Sequence, residues 1–144
     1  MLKIYLAGKM SGLTYDKMNE WRCDISQKLH YHAEQNGVRV NVINPVLYYN
    51  FKTKLHQTEI EVEEFDLAHV ISSNIIIVNL DGLKDSIGTI IELHDAHYHH
   101  KIPVIAFGDK KLYDHLHPWV KNDITRVEDD IGDVIVYIRD FYLT

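Results

Sequence analysis

An α/β domain built on a doubly wound, mostly parallel sheet of five strands is the fold class that this sequence of 144 residues predicts. Short, almost wholly apolar runs that end in glycine or another turn residue recur along the chain, as in buried parallel strands. Between them lie longer segments whose apolar residues repeat at helical spacing. This alternation predicts parallel strands joined by crossover helices. The length suits one hydrophobic core, so we expect a single domain over residues 1–144.

The elements follow one another in the order strand, helix, strand, helix, strand, helix, strand, strand, helix. Strands are predicted over 3–8, 38–45, 74–82, 101–109 and, at an edge of the sheet, 123–127. The first helix is indicated by the spacing of Met18, Trp21, Ile25 and Leu29, and it ends at Asn36-Gly37. Further helices are predicted over 59–72, 86–100 and 128–142, with a long loop near 48–57 and an irregular segment at 110–119. This order is that of flavodoxin-like and Rossmann-like folds.

Charge and composition narrow the classes of function. The formal net charge is −6, which argues against a protein that binds a nucleic-acid backbone, since such proteins need a basic face. The single cysteine, Cys23, lies within a helical pattern and is interpreted as a structural thiol. The N-terminal residues do not resemble a signal peptide, and no apolar run approaches the length that spans a membrane. We therefore expect a cytoplasmic protein without a membrane partner.

Three segments are predicted at the edge of the sheet where ligands bind in open parallel sheets. They are "GKMSG", "LDGLKDSIGT" and "FGDKK", each directly after a strand. The first offers backbone N–H groups and the side chains of Lys9 and Ser11 to an anion, or is simply a β–α turn, since it matches neither phosphate-binding glycine motif. In the second, Asp85 or Ser86 is expected to cap the helix that follows.

Glu92 is the first candidate catalytic residue. It shares a stripe of that helix with Gly88 and Ala96 at four-residue spacing, and these small neighbours leave room for a ligand. It lies within two turns of the N-terminus of the helix, whose dipole favours the ionised form. We expect an ionised, accessible carboxylate suited to nucleophilic attack; the alternative is a solvated surface glutamate.

Asp66 is the second candidate, on the preceding helix. It shares a stripe with Val62 and Val70 and borders the apolar face. Partial burial would raise its pKa, and a tightly held proton suits a general acid; the alternative is an aspartate at the edge of the buried face. Together, Asp66 and Glu92 form the kind of carboxylate pair that cleaves a glycosidic bond with retention.

Two other clusters leave their interpretation open. His94, His97 and His100 are three residues apart, but they end a helix, where histidines suit the dipole, and no HExxH motif is present. We therefore predict no metal and no cofactor. The aromatic run at 48–51, which contains Tyr48 and Tyr49, either stacks on a base or packs a loop.

Taken together, three stretches resemble the nucleoside 2-deoxyribosyltransferase superfamily. They are "KIYLAG", "DLAHVISSNIIIVNLDG" and "DSIGTIIELHDAHYHHKIPVIAFG", and the similarity extends from Lys3 to about Trp119. By this resemblance, Glu92 is the nucleophile that attacks C1′ of the sugar and Asp66 the acid that protonates or contacts the leaving base. Tyr5, in the first strand, carries the hydroxyl that orients the nucleophile. The resemblance also implies a homo-oligomer with shared active sites.

The resemblance implies a set of substrate-binding residues as well. These are Gly8, Lys9, Met10, Ser11, Asp85, Ser86, Gly88, His115 and His117. In the family an asparagine or serine of a neighbouring subunit reaches the 5′ group, whereas the corresponding region here offers His115 or His117. The common pattern has an aspartate six residues before the glutamate, whereas this chain has Ser86 there. That serine resembles the related deoxynucleoside 5′-monophosphate N-glycosidases, which hold a phosphate with serines.

Three functions are consistent with these residues. The first is transfer of the sugar of a 2′-deoxynucleoside from one purine or pyrimidine base to another, with no cofactor. The second is hydrolysis of a 2′-deoxynucleoside 5′-monophosphate, with water as the acceptor. The third is a nucleotide-binding or sensing module without catalysis, which would have no need for Tyr5, Asp66 and Glu92 together.

Overall fold

One sheet of five parallel strands forms the centre of the protein. The computed structural model describes residues 1–49 and 54–144. The strands are β1 (Leu2–Ala7), β2 (Val40–Ile43), β3 (Ile75–Asn79), β4 (Val104–Phe107) and β5 (Arg126–Glu128). They lie in the order β2-β1-β3-β4-β5, and every neighbouring pair is parallel. The predicted fold class is therefore confirmed, with a sheet that is wholly rather than mostly parallel.

Six helices connect and cover the strands. They are α1 (Tyr15–Gln35), α2 (Glu59–Ile71), α3 (Ile87–His94), α4 (Lys110–Asp114), α5 (Pro118–Lys121) and α6 (Ile131–Tyr142). The prediction that 110–119 is irregular was wrong, because α4 and the start of α5 lie there. Each of these short helices begins at a side-chain cap, Asp109 for α4 and His117 for α5. One or two turns are too short to produce a periodic pattern of apolar residues.

Alternate residues of the central strands enter two separate cores, one on each face of the sheet. Ile4, Leu6, Ile75 and Ile77 face α1 and α6, together with Ile25, Leu29 and Ile138. Tyr5, Ala7, Ile76 and Val78 belong to the other core, with Val70, Leu93 and Ala96. This period of two is what a strand covered on both faces requires. It also places Tyr5 on the same face as α2 and α3.

The position of the candidate site follows from the strand order. β1 lies between β2 and β3, so the chain leaves the sheet in opposite directions from two adjacent strands. Ligands of doubly wound sheets bind in the crevice that such a switch creates at the carboxyl ends. α2 leads into β3 and α3 leaves it, so both helices that carry the candidate carboxylates adjoin this switch.

Local signals fix the ends of α2 and α3 differently. Thr58 and Glu61 form a complete capping box at the start of α2. Ser86 holds the cap position of α3, but its side chain makes no capping bond, and its Oγ lies 2.7 Å from Oγ1 of Thr89 instead. The expected capping by Asp85 or Ser86 is therefore wrong. The predicted helix over 86–100 is α-helical to His94 and continues as a wider π turn over Asp95–His99.

No helix in the described ranges is long and apolar enough to cross a membrane.

Candidate active site

A cavity between α2 and α3 contains both candidate carboxylates. Its volume is about 320 Å³, within the range of pockets that hold small molecules. Its lining is Glu59, Val62, Glu63, Asp66, Leu67, Ile87, Gly88, Ile91 and Glu92. The two helices thus bring Asp66 and Glu92, which are far apart in the sequence, to one mostly apolar space.

Glu92 is contacted from the sheet by a residue of β1. The hydroxyl of Tyr5, in β1, is a hydrogen-bond partner of its carboxylate, and the ring of Tyr5 is buried in the core. Its Oε2 is closed off from solvent and has no hydrogen-bond partner in the structure. Such a buried, unsatisfied oxygen is costly to keep and is typical of a functional site.

Burial controls the protonation of Glu92. It raises the pKa of this carboxyl from 4.5 to about 7, with a further rise from the charge of Asp66, while the bond to Tyr5 and the charge of Arg22 oppose the shift. The expectation that the helix dipole keeps Glu92 ionised is therefore wrong. The dipole acts mainly within the first turn, and Glu92 lies beyond it. The pKa near 7 means that a base form is available at neutral pH.

Asp66 is half-buried, and burial raises its pKa, as the sequence predicted. Oδ1 of Asp66 accepts a short hydrogen bond from the hydroxyl of Tyr49. This bond and the nearby His69 lower the pKa and partly offset the effect of burial. Because Asp66 and Glu92 influence each other, the two carboxyls titrate as a coupled pair.

Arg22 is a functional candidate that the sequence interpretation missed. Its side chain is fully buried beneath the carboxyl end of β1. Its Nε donates to the carbonyl of Leu6 at 3.2 Å, and Nη2 donates to that of Gly8 at 3.0 Å. Burial lowers its pKa to about 10, whereas Tyr5 and Glu92 favour its charged form. The helical spacing from Met18 to Ile25 did place position 22 on the buried face, and this was the available signal.

The residues of the "GKMSG" loop do not line the cavity that holds Glu92. Lys9 lines a different cavity of about 460 Å³, with Lys17, Asp81 and Gly82 among its other walls. Gly8 is required by packing, because a Cβ atom there would lie 2.8 Å from the ring of Trp21. Met10 and Ser11 lie in the turn after β1, where Ser11 is exposed.

Of the other predicted binding residues, one lines the cavity that holds the carboxylates and the rest do not. Gly88 lines the cavity, and a Cβ atom there would meet nothing within 4 Å. Asp85 and Ser86 directly precede α3 but are not part of the lining. His115 and His117 are exposed and make local bonds, to the carbonyl of Lys111 and from the N–H of Trp119. Their predicted role toward a neighbouring subunit stays a prediction.

The histidine cluster is occupied by protein partners. Nδ1 of His94 lies 2.8 Å from Oδ2 of the buried Asp123, and Nδ1 of His97 lies 3.2 Å from the carbonyl of Ile102. His100 approaches the carbonyl of Asp95. Within 1–49 and 54–144, no three histidine, cysteine or acidic side chains are grouped as metal ligands. Asn50 and Phe51 of the predicted aromatic run lie outside the described residues.

Solved structures share this fold. A conserved protein from Enterococcus faecalis V583 superimposes with a TM-score of 0.75 at 17% identity, over 97% of this chain and 98% of that one. A 2-deoxyribosyltransferase from the psychrotolerant bacterium Bacillus psychrosaccharolyticus superimposes with a TM-score of 0.62 at 20% identity, over 92% and 90% of the chains. No model of a known protein family and no curated protein matches the sequence. The similarity therefore establishes the fold.

Proposed function

We propose that this protein is a nucleoside 2-deoxyribosyltransferase that moves the sugar of a 2′-deoxynucleoside from one purine or pyrimidine base to another. The observation that carries the proposal is the meeting of Asp66 and Glu92 in one cavity, with the hydroxyl of Tyr5 on Glu92. The fold shared with a 2-deoxyribosyltransferase supports it. The apolar side chains in the lining suit contact with a flat base.

The reaction follows from the roles of the two carboxyls. Ionised Glu92 attacks C1′ of the sugar, the C1′–N bond breaks, and the bonding pair leaves with the base. Asp66 gives its proton to that base, so the base departs neutral and Asp66 becomes a carboxylate. The covalent deoxyribosyl-Glu92 is then attacked at C1′ by an incoming base, whose proton returns to Asp66. Tyr5 orients the carboxylate of Glu92 and accepts no proton.

A related alternative is hydrolysis of a 2′-deoxynucleoside 5′-monophosphate. It is supported by the start of α3, where the first backbone N–H groups receive no bond from the side chain of Ser86 and Gly88 is open. Uncapped helix N-termini attract phosphate. Asp66 and Glu92 would act as in transfer, with water as the second nucleophile.

The proposal includes a homo-oligomer with shared sites. Ile87 is 75% exposed and Ile91 41% exposed, and both line the cavity with the carboxylates. Ile60 and Phe65 of α2 are also exposed. Contiguous apolar surface beside a ligand site favours coverage by another protein surface, and a second copy of the chain would both bury these residues and narrow the cavity.

One experiment separates the three functions. Purified protein is incubated with deoxyinosine or thymidine plus adenine, and in parallel with each deoxynucleoside 5′-monophosphate, and products are resolved by chromatography. We expect a new deoxynucleoside in the first mixture. Free base from a monophosphate without exchange would support the hydrolase instead, and binding without turnover would support a sensing module. A mass increase of one deoxyribosyl group on the peptide that contains Glu92 would locate the covalent intermediate.

A further inference from the structure

Tyr49 makes a contact to the candidate acid that neither the sequence interpretation nor the fold comparison assigns. It follows β2 and the short 3₁₀ turn Pro45–Leu47. Its hydroxyl donates a hydrogen bond to Oδ1 of Asp66 in α2. The bond joins two elements that are distant in the sequence, so it is a tertiary contact and not part of local helix capping.

Aromatic packing holds the ring of Tyr49 in place. Its centroid lies 6.1 Å from that of Tyr48, 6.5 Å from Phe65 and 6.1 Å from His56, all in edge-on arrangements. Tyr48 in turn stacks on His69 at 4.7 Å. Phe65 and His69 flank Asp66 on α2, so the same helix supplies the carboxyl and part of the support for its partner. Edge-on aromatic pairs of this kind contribute stability and fix ring orientation.

We propose that Tyr49 is a positioning residue that fixes which oxygen of Asp66 carries the proton transferred to the leaving base. This inference rests on the proposed function. The hydroxyl of Tyr49 needs an acceptor, so Oδ1 stays unprotonated and the acid proton resides on Oδ2. When the C1′–N bond breaks, the proton moves from Oδ2 to a nitrogen of the base, and Asp66 becomes a carboxylate that still accepts the bond from Tyr49.

The hydrogen bond gains strength during this step. A bond to a carboxylate is shorter and about twice as strong as one to a neutral carboxyl. Tyr49 therefore stabilises the transition state, in which negative charge develops on Asp66, more than the bound substrate. An interaction that is stronger in the transition state raises kcat and leaves KM almost unchanged.

Several titratable groups besides Tyr49 lie around Asp66. Groups from every packed element face it: Glu92 from α3, Tyr5 from β1, Tyr48 from the segment after β2, and Glu59, Glu63 and His69 from α2 itself. Replacement of Tyr49 by phenylalanine leaves these groups in place. Since the bond from Tyr49 lowers the pKa of Asp66, its loss moves that pKa upward.

The test is Tyr49→Phe, with Tyr31→Phe as the matched control, because Tyr31 is 60% exposed on α1. With a neutral deoxynucleoside, we expect Tyr49→Phe to lower kcat about 10- to 100-fold, the size of a lost hydrogen bond to a charged group. KM stays within about twofold. The pH–rate profile has a limb that reflects the ionisation of Asp66 and is absent from Asp66→Asn. In Tyr49→Phe we expect this limb at higher pH than in the wild type. Tyr31→Phe changes none of these quantities.

Two further measurements distinguish positioning of an acid from a structural role. The deoxynucleoside of 7-methylguanine carries a positive charge on its base and leaves without a proton, so Tyr49→Phe should turn it over at nearly the wild-type rate. In a protein that already carries Asp66→Asn, adding Tyr49→Phe should lower kcat only slightly further. Equal loss on both substrates, full additivity with Asp66→Asn, or an unchanged kcat would each overturn the role of Tyr49. Inactivity of the wild-type protein toward every deoxynucleoside would instead overturn the proposed function.

Discussion

The two faces of the sheet are built for different purposes. On one face, α1 buries five residues, including Ile25 and Leu29, and α6 buries three. On the other face, α2 buries only Val70, and α3 exposes Ile87 and Ile91. Both faces contribute a buried hydrophobic core, but only the second also carries two carboxyls with raised pKa values beside a cavity. The candidate chemistry is thus confined to one face of the sheet, the face whose covering helices expose more apolar surface.

The strand between the two faces connects them chemically. Tyr5 points into the core beneath α2 and α3 and reaches Glu92, whereas its neighbours Ile4 and Leu6 pack under α1 and α6. Arg22 belongs to α1, is anchored to the carbonyls of Leu6 and Gly8 at the end of β1, and lowers the pKa of Glu92 by its charge. A rigid strand therefore presents polar groups to a site whose helices are themselves only loosely buried. Sites supported by rigid elements keep their geometry even where the covering helices expose apolar surface.

The largest effect is expected on the second face. Glu92→Ala removes the nucleophile, so we expect base exchange to fall by at least about 10⁴-fold. The variant should remain folded, because it removes a buried oxygen that has no hydrogen-bond partner and loses only the hydrogen bond to Tyr5. Chromatographic exchange assays and circular dichroism measure the two quantities. Normal turnover by a folded variant would rule out the covalent mechanism.

Asp66→Asn tests the acid and its coupling to Glu92. We expect kcat to fall about 10²- to 10⁴-fold, as is typical for loss of a general acid. Because the charge of Asp66 raises the pKa of Glu92, the rising limb of the pH–rate profile should also move below its wild-type position near pH 7. Unchanged rates at all pH values would remove Asp66 from the mechanism, and a loss without movement of the limb would argue against the coupling.

Leu29→Ala tests the first face, where stability rather than activity should respond. The residue is fully buried on the inner face of α1, and truncation leaves a cavity that costs about 2–5 kcal/mol of unfolding free energy. Urea denaturation followed by tryptophan fluorescence gives this value. The kcat of the fraction that remains folded should stay within about twofold of wild type. A large loss of kcat without loss of stability would show that the two faces are not separable.

Glu92→Gln sharpens the comparison through the pH dependence of stability. The pKa of Glu92 is about 7 in the folded protein against 4.5 in a free chain, so the folded state holds its proton more tightly. The stabilising contribution is fully present below about pH 4.5 and is lost as pH rises through 7, by on the order of 3 kcal/mol. Glutamine cannot ionise, so the variant should become more stable than wild type across this window.

The measurement is urea denaturation of both proteins at closely spaced pH values. Carboxyls that do not interact with Glu92 titrate alike in both chains and cancel in the difference between their unfolding free energies, whereas Asp66, which is coupled to Glu92, contributes to that difference. A difference that does not change between pH 4.5 and 7 would contradict the burial of an ionisable Glu92. A gain for the variant would also show that the wild-type chain keeps this glutamate at a cost in stability, as functional sites often do.

The sequence predicted the architecture because its signals are local. Apolar runs such as 74–79 and the spacing from Met18 to Leu29 report strand and helix directly. They also placed Asp66 and Glu92 on two different helices. Such signals could not reveal that Tyr49 contacts Asp66, or that Oε2 of Glu92 loses its solvent, because both depend on how distant segments pack. Arg22 lay within the buried pattern, but its charge made it look like a surface residue.

Ile87→Ser should have the smallest effect on the stability of the isolated chain. It also tests most directly why the second face is apolar. Ile87 is 75% exposed and packs little within one chain, so its replacement should change the unfolding free energy of a monomer by at most about 0.5 kcal/mol. If a second copy covers this face, the serine places a polar hydroxyl in the buried contact and weakens the assembly. Sedimentation of wild type, Ile87→Ser and the exposed control Tyr31→Ser separates the two cases. We expect only Ile87→Ser to shift toward monomer. Since Ile87 lines the cavity, this variant should lose exchange activity in proportion to its dissociation. A wild-type monomer with full exchange activity would show that α2 and α3 form the site without a partner.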